Sequence, residues 1–389
     1  MELNLAKYTE FYKGKRKKRN YAIIPMVVVL ALLSLALVAF YGMQKYAVIT
    51  KDGVSVELPI LSDGSTTVDE EGNTVKTFEP VEAAITFDAA DYSRVKATAG
   101  ENLGGLRAIF VPTADLTEEK ITEYASRLKD GNALVFEMKP RTGQLMWDSK
   151  ADAAVNYGLF TANEYTNALP RIITELKDKG VYLVAQISCC IDDSYASRST
   201  TVALRTSYGA NYTDENGTWL DPYNTDVRTY VVQMTRELYA LGFDEVVLAD
   251  VMHPVIETDD DGKPKVELVY SKEMSTTPGP VNAVCGFALS VAGQLSDRTG
   301  KLSIYCNSAP SLVRADDTNG QNAVLFMKMY DRVYYPTDMY AYPYNVQDIA
   351  GNVEIGSVND RLVPVVENYL PDNSSWVLID VPEEEEEEE

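Results

Sequence analysis

Between about residue 101 and residue 382 the hydrophobic positions of this chain follow two alternating patterns. Short continuous apolar runs are separated by longer stretches in which apolar residues recur three and four positions apart. The runs are RAIFVP (107–112), NALVFEMKP (132–140), VYLVAQISCC (181–190), EVVLADV (245–251), LSIYCN (302–307), RVYYP (332–336), RLVPVVENY (361–369) and WVLID (376–380). Each has the length of a strand covered on both faces, as parallel strands are. The intervening 116–128, 165–179 and 225–241 read as helices. In the last of these, Val227, Tyr230, Val231, Met234 and Leu238 form one apolar stripe, with Asn224 able to cap its start and Gly242 its end. Eight strands alternating with helices over roughly 280 residues predict an α/β fold closed as a TIM (β/α)8 barrel, with function at the carboxyl ends of the strands.

The pattern changes outside that region. Residues 1–20 carry seven Lys or Arg against two Glu, and the 23 residues of 21–43 are uncharged. A helix of that length spans about 34 Å, enough for a hydrocarbon core of about 30 Å. The expectation is a signal anchor over 21–43, with the basic segment in the cytoplasm and the rest of the chain outside the cell. A cleavable signal peptide is the rival, and its apolar core is normally shorter. From 44 to 100 the text becomes short alternating segments with turn signals at Asp52-Gly53, Asp63-Gly64 and Glu71-Gly72, predicting a stalk or small β-rich segment. Glu383–Glu389 is a like-charge run expected to be a solvated tail.

Charge and composition narrow the chemistry. The net charge is −23, and the first twenty residues are net positive, so the remainder is about −28. Nucleic acid and anionic polymers are poor partners for such a surface, whereas a neutral ligand is acceptable. A single histidine removes most zinc and histidine-base hydrolase mechanisms. No nucleophile elbow, phosphate-binding loop or dinucleotide fingerprint occurs, so no cofactor and no metal is expected. Cys189, Cys190, Cys285 and Cys306 lack metal-ligand spacing and read as buried small hydrophobes, with a Cys190–Cys306 bridge open if the domain is extracellular. Glu257, Asp259, Asp261 and Gly262 imitate a calcium loop, but Leu268 stands where its glutamate belongs, so a hairpin turn is predicted.

Trp219, Asp221, Pro222 and Tyr223, followed by a helix, then Gly242, Phe243, Asp244 and Glu245, then a strand closing on Val251 and Pro254, resemble a glycoside hydrolase family of TIM barrels. That family reads Trp-x-Asp-Pro-Tyr, helix, Gly-Phe-Asp-Glu-Ile, and a strand ending Phe-Asp-Tyr-Val-Arg-Phe-Pro. The family's strand-end Asp falls on Ala249 and its Arg on Met252. Four further segments are similar, with Lys139 kept, Glu137 in an Asp place, Gln186 in an Arg place, Asp192 kept, and Glu367 and Asn368 in the places of Gln and Asp; NSSWVLID, containing Trp376 and Asp380, is similar to the closing segment. The resemblance implies a barrel that hydrolyses polysaccharide or oligosaccharide.

Glycoside hydrolysis takes two carboxyl groups flanking the scissile bond. Candidates at strand ends are Asp250, Glu367 and Glu137 as catalytic groups, with Asp250 and Glu367 the favoured pair. Asp250 has opposite strand parity to Ala249, which aims it out of the barrel unless the strand bends. Glu137 and Lys139 share a strand face and are expected to pair. Lys139, Asp192, His253, Tyr340, Trp376 and Asp380 are candidate substrate-binding residues, with a cap on the segment after it favoured over catalysis for Asp192. The competing reading is a catalytically degenerate barrel that binds glycan or scaffolds cell-wall proteins, since Ala249, Met252, Gln186 and Asn368 have lost polar or charged family groups.

Overall fold

The computed structural model describes residues 103–128, 132–199, 201–270, 279–307, 315–341, 358–367 and 371–379, together with the backbone of two short hairpins ahead of them. Contacts divide the chain into two units, 1–87 and 88–389. In the first, Ala47–Thr50 pairs antiparallel with Gly53–Val56, and Thr66–Val68 with Thr74–Lys76. The segment 21–43 and the tail 383–389 lie outside the described residues. No helix among the described residues is long and apolar enough to cross a membrane.

The second unit holds eight strands: β1 (Arg107–Val111), β2 (Ala133–Lys139), β3 (Tyr182–Ser188), β4 (Glu245–Ala249), β5 (Lys301–Tyr305), β6 (Val333–Pro336), β7 (Leu362–Val366) and β8 (Trp376–Leu378). Every neighbouring pair is parallel, and β8 closes on β1 through Trp376–Arg107, Val377–Ala108 and Leu378–Ile109. This is an eight-stranded parallel barrel of the TIM type. Its apolar residues fall into two layers, as closure requires. Ala108, Val135, Val184, Val247, Val363 and Val377 fill the inside of the ring. Leu134, Phe136, Leu183, Val246 and Leu248, one residue out of phase, pack outward against the helices.

The helices are α1 (Glu118–Ser126), α2 (Asp152–Tyr157), α3 (Glu164–Asp178), α4 (Asp193–Arg198), α5 (Thr225–Leu241), α6 (Pro280–Gln294), α7 (Ala323–Met329) and α8 (Val358–Arg361). α5 begins where the Asn224 side chain accepts from the amides of Asp226 (2.8 Å) and Val227 (3.4 Å). It ends at Gly242, whose φ of 112° is left-handed. Its predicted stripe is wholly buried, and Phe243 behind it meets Phe136 edge to face.

The amino end of the ring is plugged by charge rather than by aliphatic packing. Glu245, fully buried at the start of β4, accepts hydrogen bonds from the hydroxyls of Ser303 (2.6 Å), Tyr334 (2.9 Å) and Tyr182 (3.1 Å), and is ion-paired with Arg332. Arg332 also donates to the carbonyls of Leu103 and Gly104, both 3.2 Å away. Two buried charges are tolerable here because each is paired and hydrogen-bonded.

Candidate active site at the barrel mouth

At the opposite, carboxyl end of the strands lies a cavity of 390 Å³. Its wall is made of the inward-facing residues nearest the strand ends: Phe110 on β1, Glu137 and Lys139 on β2, Gln186 and Ser188 on β3, Ala249 on β4, Tyr305 on β5 and Val365 on β7. Asp250, Asn307 and Arg141, each just past a strand, complete the polar part. The wall thus sets charged and polar side chains beside the apolar Phe110, Ala249 and Val365. Burial pushes the Tyr305 phenol far above its ordinary range, and the nearby Asp250 charge adds to this.

Asp250 reaches this cavity against the strand's parity. Its φ is +53°, the only left-handed non-glycine residue among those described. A left-handed residue turns the chain sharply, so Asp250 faces the mouth alongside Ala249. Arg141 grips it through two parallel bonds, Nη2 to Oδ1 at 2.7 Å and Nε to Oδ2 at 3.1 Å. The Asp250 carboxylate raises the Arg141 guanidinium above its ordinary value, against the opposing effect of burial. Arg141 is fixed from its other side by Asn216, whose Oδ1 accepts from Nη1 at 2.8 Å. The backbone carrying it is pinned as well, since the amides of Asp193 and Ser194 donate to the carbonyls of Arg141 and Thr142, each at 3.2 Å.

Glu137 is the second carboxylate of the mouth. Its Oε2 accepts from the Thr113 amide (3.0 Å) and hydroxyl (2.8 Å), and Oε1 takes no hydrogen bond among the described residues. The pairing expected between Glu137 and Lys139 is not the one formed. The Lys139 ammonium, 1% exposed, turns to the Ser188 carbonyl at 2.7 Å and to Asp192 Oδ2 at 2.9 Å. The other oxygen of Asp192, also fully buried, caps α4 by accepting from the Tyr195 amide at 2.7 Å. Gly143 packs over this carboxylate so closely that a Cβ there would overlap Asp192 Oδ1.

The remaining candidates are scattered. Glu367 is exposed one residue beyond β7, on the parity of Val363 and Val365, and is not part of the cavity wall. His253 is buried beside a second cavity, bonded through Nδ1 to the Pro254 carbonyl (2.8 Å) and through Nε2 to the Tyr270 hydroxyl (2.7 Å). Burial depresses its pKa, partly opposed by the Pro254 carbonyl. Tyr340 is 80% exposed. Trp376 opens β8, so it sits at the amino end of a strand, away from the mouth, in a small cluster with Val366 and Leu378. Asp380 lies outside the described residues. All four cysteines are free thiols, and Thr258 to Pro264 form the hairpin turn expected there. No group of three or more potential metal ligands occurs among the described residues.

Arg141, Thr113 and Gln321 escaped the sequence reading. Gln321, 1% exposed, ties the mouth's far side together by accepting from the Asn307 amide (2.7 Å) and donating to the Val251 carbonyl (3.1 Å). Arg141 does follow a strand-end Pro140, the one available signal.

Among curated proteins, none matches the sequence. Among solved structures, a hypothetical protein from Ruminiclostridium thermocellum ATCC 27405 is 20% identical over 50% of this chain and 96% of its own, with a TM-score of 0.42. The α-galactosidase from Lactobacillus brevis is 8% identical over 71% of this chain and 38% of its own, at 0.45. The spore cortex-lytic enzyme of Bacillus megaterium QM B1551 is 10% identical over 69% and 53%, at 0.40. The chain thus spans well under two thirds of the length of these two enzymes. A family model described as "Putative glycosyl hydrolase domain" matches residues 108–373, nearly the whole barrel from β1 to the loop before β8, and the chain belongs to that family.

Proposed function

We propose that the barrel hydrolyses a neutral polysaccharide of the cell envelope, with Glu137 and Asp250 as the two carboxylates. The observation that carries this reading is their joint presence in the wall of one cavity at the mouth. In it, Asp250, aligned by Arg141, faces the sugar carbon that develops positive charge, and Glu137, steadied on one oxygen by Thr113, exchanges the proton with the glycosidic oxygen. As the glycosidic C–O bond breaks, the leaving oxygen takes the Glu137 proton; water then adds to the sugar carbon and its proton returns to Glu137. The sequence supports a place outside the cell, held to the membrane by 21–43.

The second reading, a barrel that binds glycan or scaffolds wall proteins without cleaving it, is favoured by one observation. The inward position at the end of β4 holds Ala249, and the carboxylate beside it is already engaged by an arginine. Reducing-end release from a polysaccharide panel by the full chain separates the two. Hydrolysis lost in Asp250→Asn and Glu137→Gln but kept in Glu367→Gln is the expected result. Binding without release in the unaltered protein establishes the second reading, and equal activity in all variants removes the site.

A further inference from the structure

Most of the polar wall of the mouth is already engaged by the protein itself. Lys139 is held by Asp192 and the Ser188 carbonyl, and Arg141 by Asp250 and Asn216. The Ser188 hydroxyl donates to the Ile191 carbonyl at 2.9 Å, and Asn307 Oδ1 accepts from Gln321 at 3.2 Å. Two polar groups of the wall make no hydrogen bond among the described residues: the side-chain amide of Gln186 on β3 and the phenol of Tyr305 on β5.

Gln186 shares the parity of Val184, which fills the inside of the ring, so its side chain enters the cavity from β3. It is half-buried, and neither its oxygen nor its nitrogen is among the atoms sealed from solvent. Glu137 stands opposite it in register on β2, one strand spacing of about 4.8 Å away along the backbone. On its other side runs β4, which leads into Asp250. An uncharged amide, with its acceptor and both donors unengaged, therefore stands between the two carboxylates in the order of the ring. Tyr305 lies beyond β4, outside that interval.

On the reading of Glu137 and Asp250 as the catalytic pair, the reacting sugar carbon lies between them, and Gln186 is the wall residue on that side. The carbon has two neighbours in its ring. The ring oxygen takes up positive charge as the glycosidic bond breaks, so it has no proton to give and loses its power to accept one. The other neighbour carries the 2-hydroxyl, whose proton grows more acidic as the charge develops, so a hydrogen bond it donates strengthens toward the transition state. We infer that Gln186 is a further catalytic and specificity-determining residue, its amide oxygen accepting from the 2-hydroxyl of the sugar bound at the mouth. Being uncharged, it supplies that acceptor without setting a third negative charge beside the pair. The substrate class narrows to glycans whose reacting unit carries a free 2-hydroxyl.

The test is hydrolysis of nitrophenyl glycosides of glucose and galactose, in both anomers and each beside its 2-deoxy counterpart, by the full chain and by Gln186→Met. Methionine keeps the length of the side chain and removes the amide. The expected result is a fall of about a hundredfold in kcat/KM for the 2-hydroxy substrate, equivalent to ~2.7 kcal/mol, carried mostly by kcat. For the 2-deoxy counterpart the change stays under about threefold, and the intrinsic reactivity of each sugar cancels in the comparison. Gln186→Glu keeps an accepting oxygen and retains the dependence on the 2-hydroxyl, and Gln186→Ala repeats the reading should the methionine variant fold poorly. If the chain binds without cleaving, titration with the same pairs gives the supporting result as a preference for the 2-hydroxy form that Gln186→Met loses. An equal loss on both members of a pair, or no loss on either, overturns the inference and leaves the two carboxylates standing. Neither cleavage nor binding of any glycoside removes the mouth as a glycan site, and the inference with it.

Discussion

The buried pair of Lys139 and Asp192 allows a sharp test of whether this lysine belongs to the frame or to the ligand. Lys139→Met keeps most of the side-chain volume and removes the ammonium that now sits 2.9 Å from Asp192 Oδ2. Asp192 is 0% exposed, so its carboxylate is left without a counter-charge and without water. Breaking a buried pair in this way costs about 3–5 kcal/mol. That is a large part of the ~5–15 kcal/mol that holds a typical domain together. Asp192→Asn alone strands the ammonium but keeps an oxygen for the Tyr195 amide, which the carboxylate now accepts at 2.7 Å. The double variant strands neither charge, so its loss should fall short of the sum of the single losses by at least ~2 kcal/mol. Urea unfolding of the three variants measures these quantities. A Lys139→Met protein within about 1 kcal/mol of the parent, or strict additivity in the double variant, would refute the reasoning. A substrate-binding lysine would give a different signature, with KM raised and the unfolding midpoint unmoved.

Three further outcomes are expected. Asp250→Gly relieves a left-handed backbone that costs an L-residue roughly 1–2 kcal/mol, so it should be more stable than Asp250→Ala by about 1 kcal/mol in urea while both lose the carboxylate; an alanine variant as stable as the glycine one would deny the strain. Glu245→Gln leaves Arg332 buried without its counter-charge and should cost about 3–5 kcal/mol, seen as a fall in Tm with glycan affinity at the far end of the barrel unaltered. His253 has a folded pKa below its unfolded one, so the unfolded chain binds the proton first as pH falls; its contribution is full above the unfolded value of about 6.5 and is lost below it, at up to ~1.4 kcal/mol per pH unit, and His253→Gln should flatten that part of the Tm–pH curve.

The ring itself was legible because burial on both faces leaves a plain mark. All eight apolar runs became barrel strands, most with an end trimmed by a residue or more, as in VYLVAQISCC, which stops at Ser188 when Cys189 and Cys190 turn into the rim, while β5 begins one residue early, at Lys301. Helices were legible where one face is polar, as in α5. α6 was not. Its sequence PVNAVCGFALSVAGQ is apolar nearly all round and carries two glycines, so no stripe separates it from a loop or a strand. α4 is six residues long, and its one announcing signal, the capping Asp192, doubles as the partner of a lysine 53 positions earlier.

The site was legible only as far as strand parity could carry it. Ala249 is the inward residue of β4, as alternation predicts, and alternation then points Asp250 out of the barrel. A single left-handed residue reverses that outcome, and in an aspartate such a conformation has no signature comparable to that of glycine. Its cause is tertiary. Arg141, 109 positions away and pinned by the start of α4 and by Asn216, offers two donors at the one place where a turned Asp250 can meet both. The carboxylate of the mouth is therefore set by a loop after β2 rather than by the strand that bears it. It follows that the loop from Pro140 to Gly143, which contributes a proline, an arginine and a left-handed glycine packed on Asp192, governs where the charge stands. Variation there would move the chemistry of the rim while every strand of the barrel stayed in place.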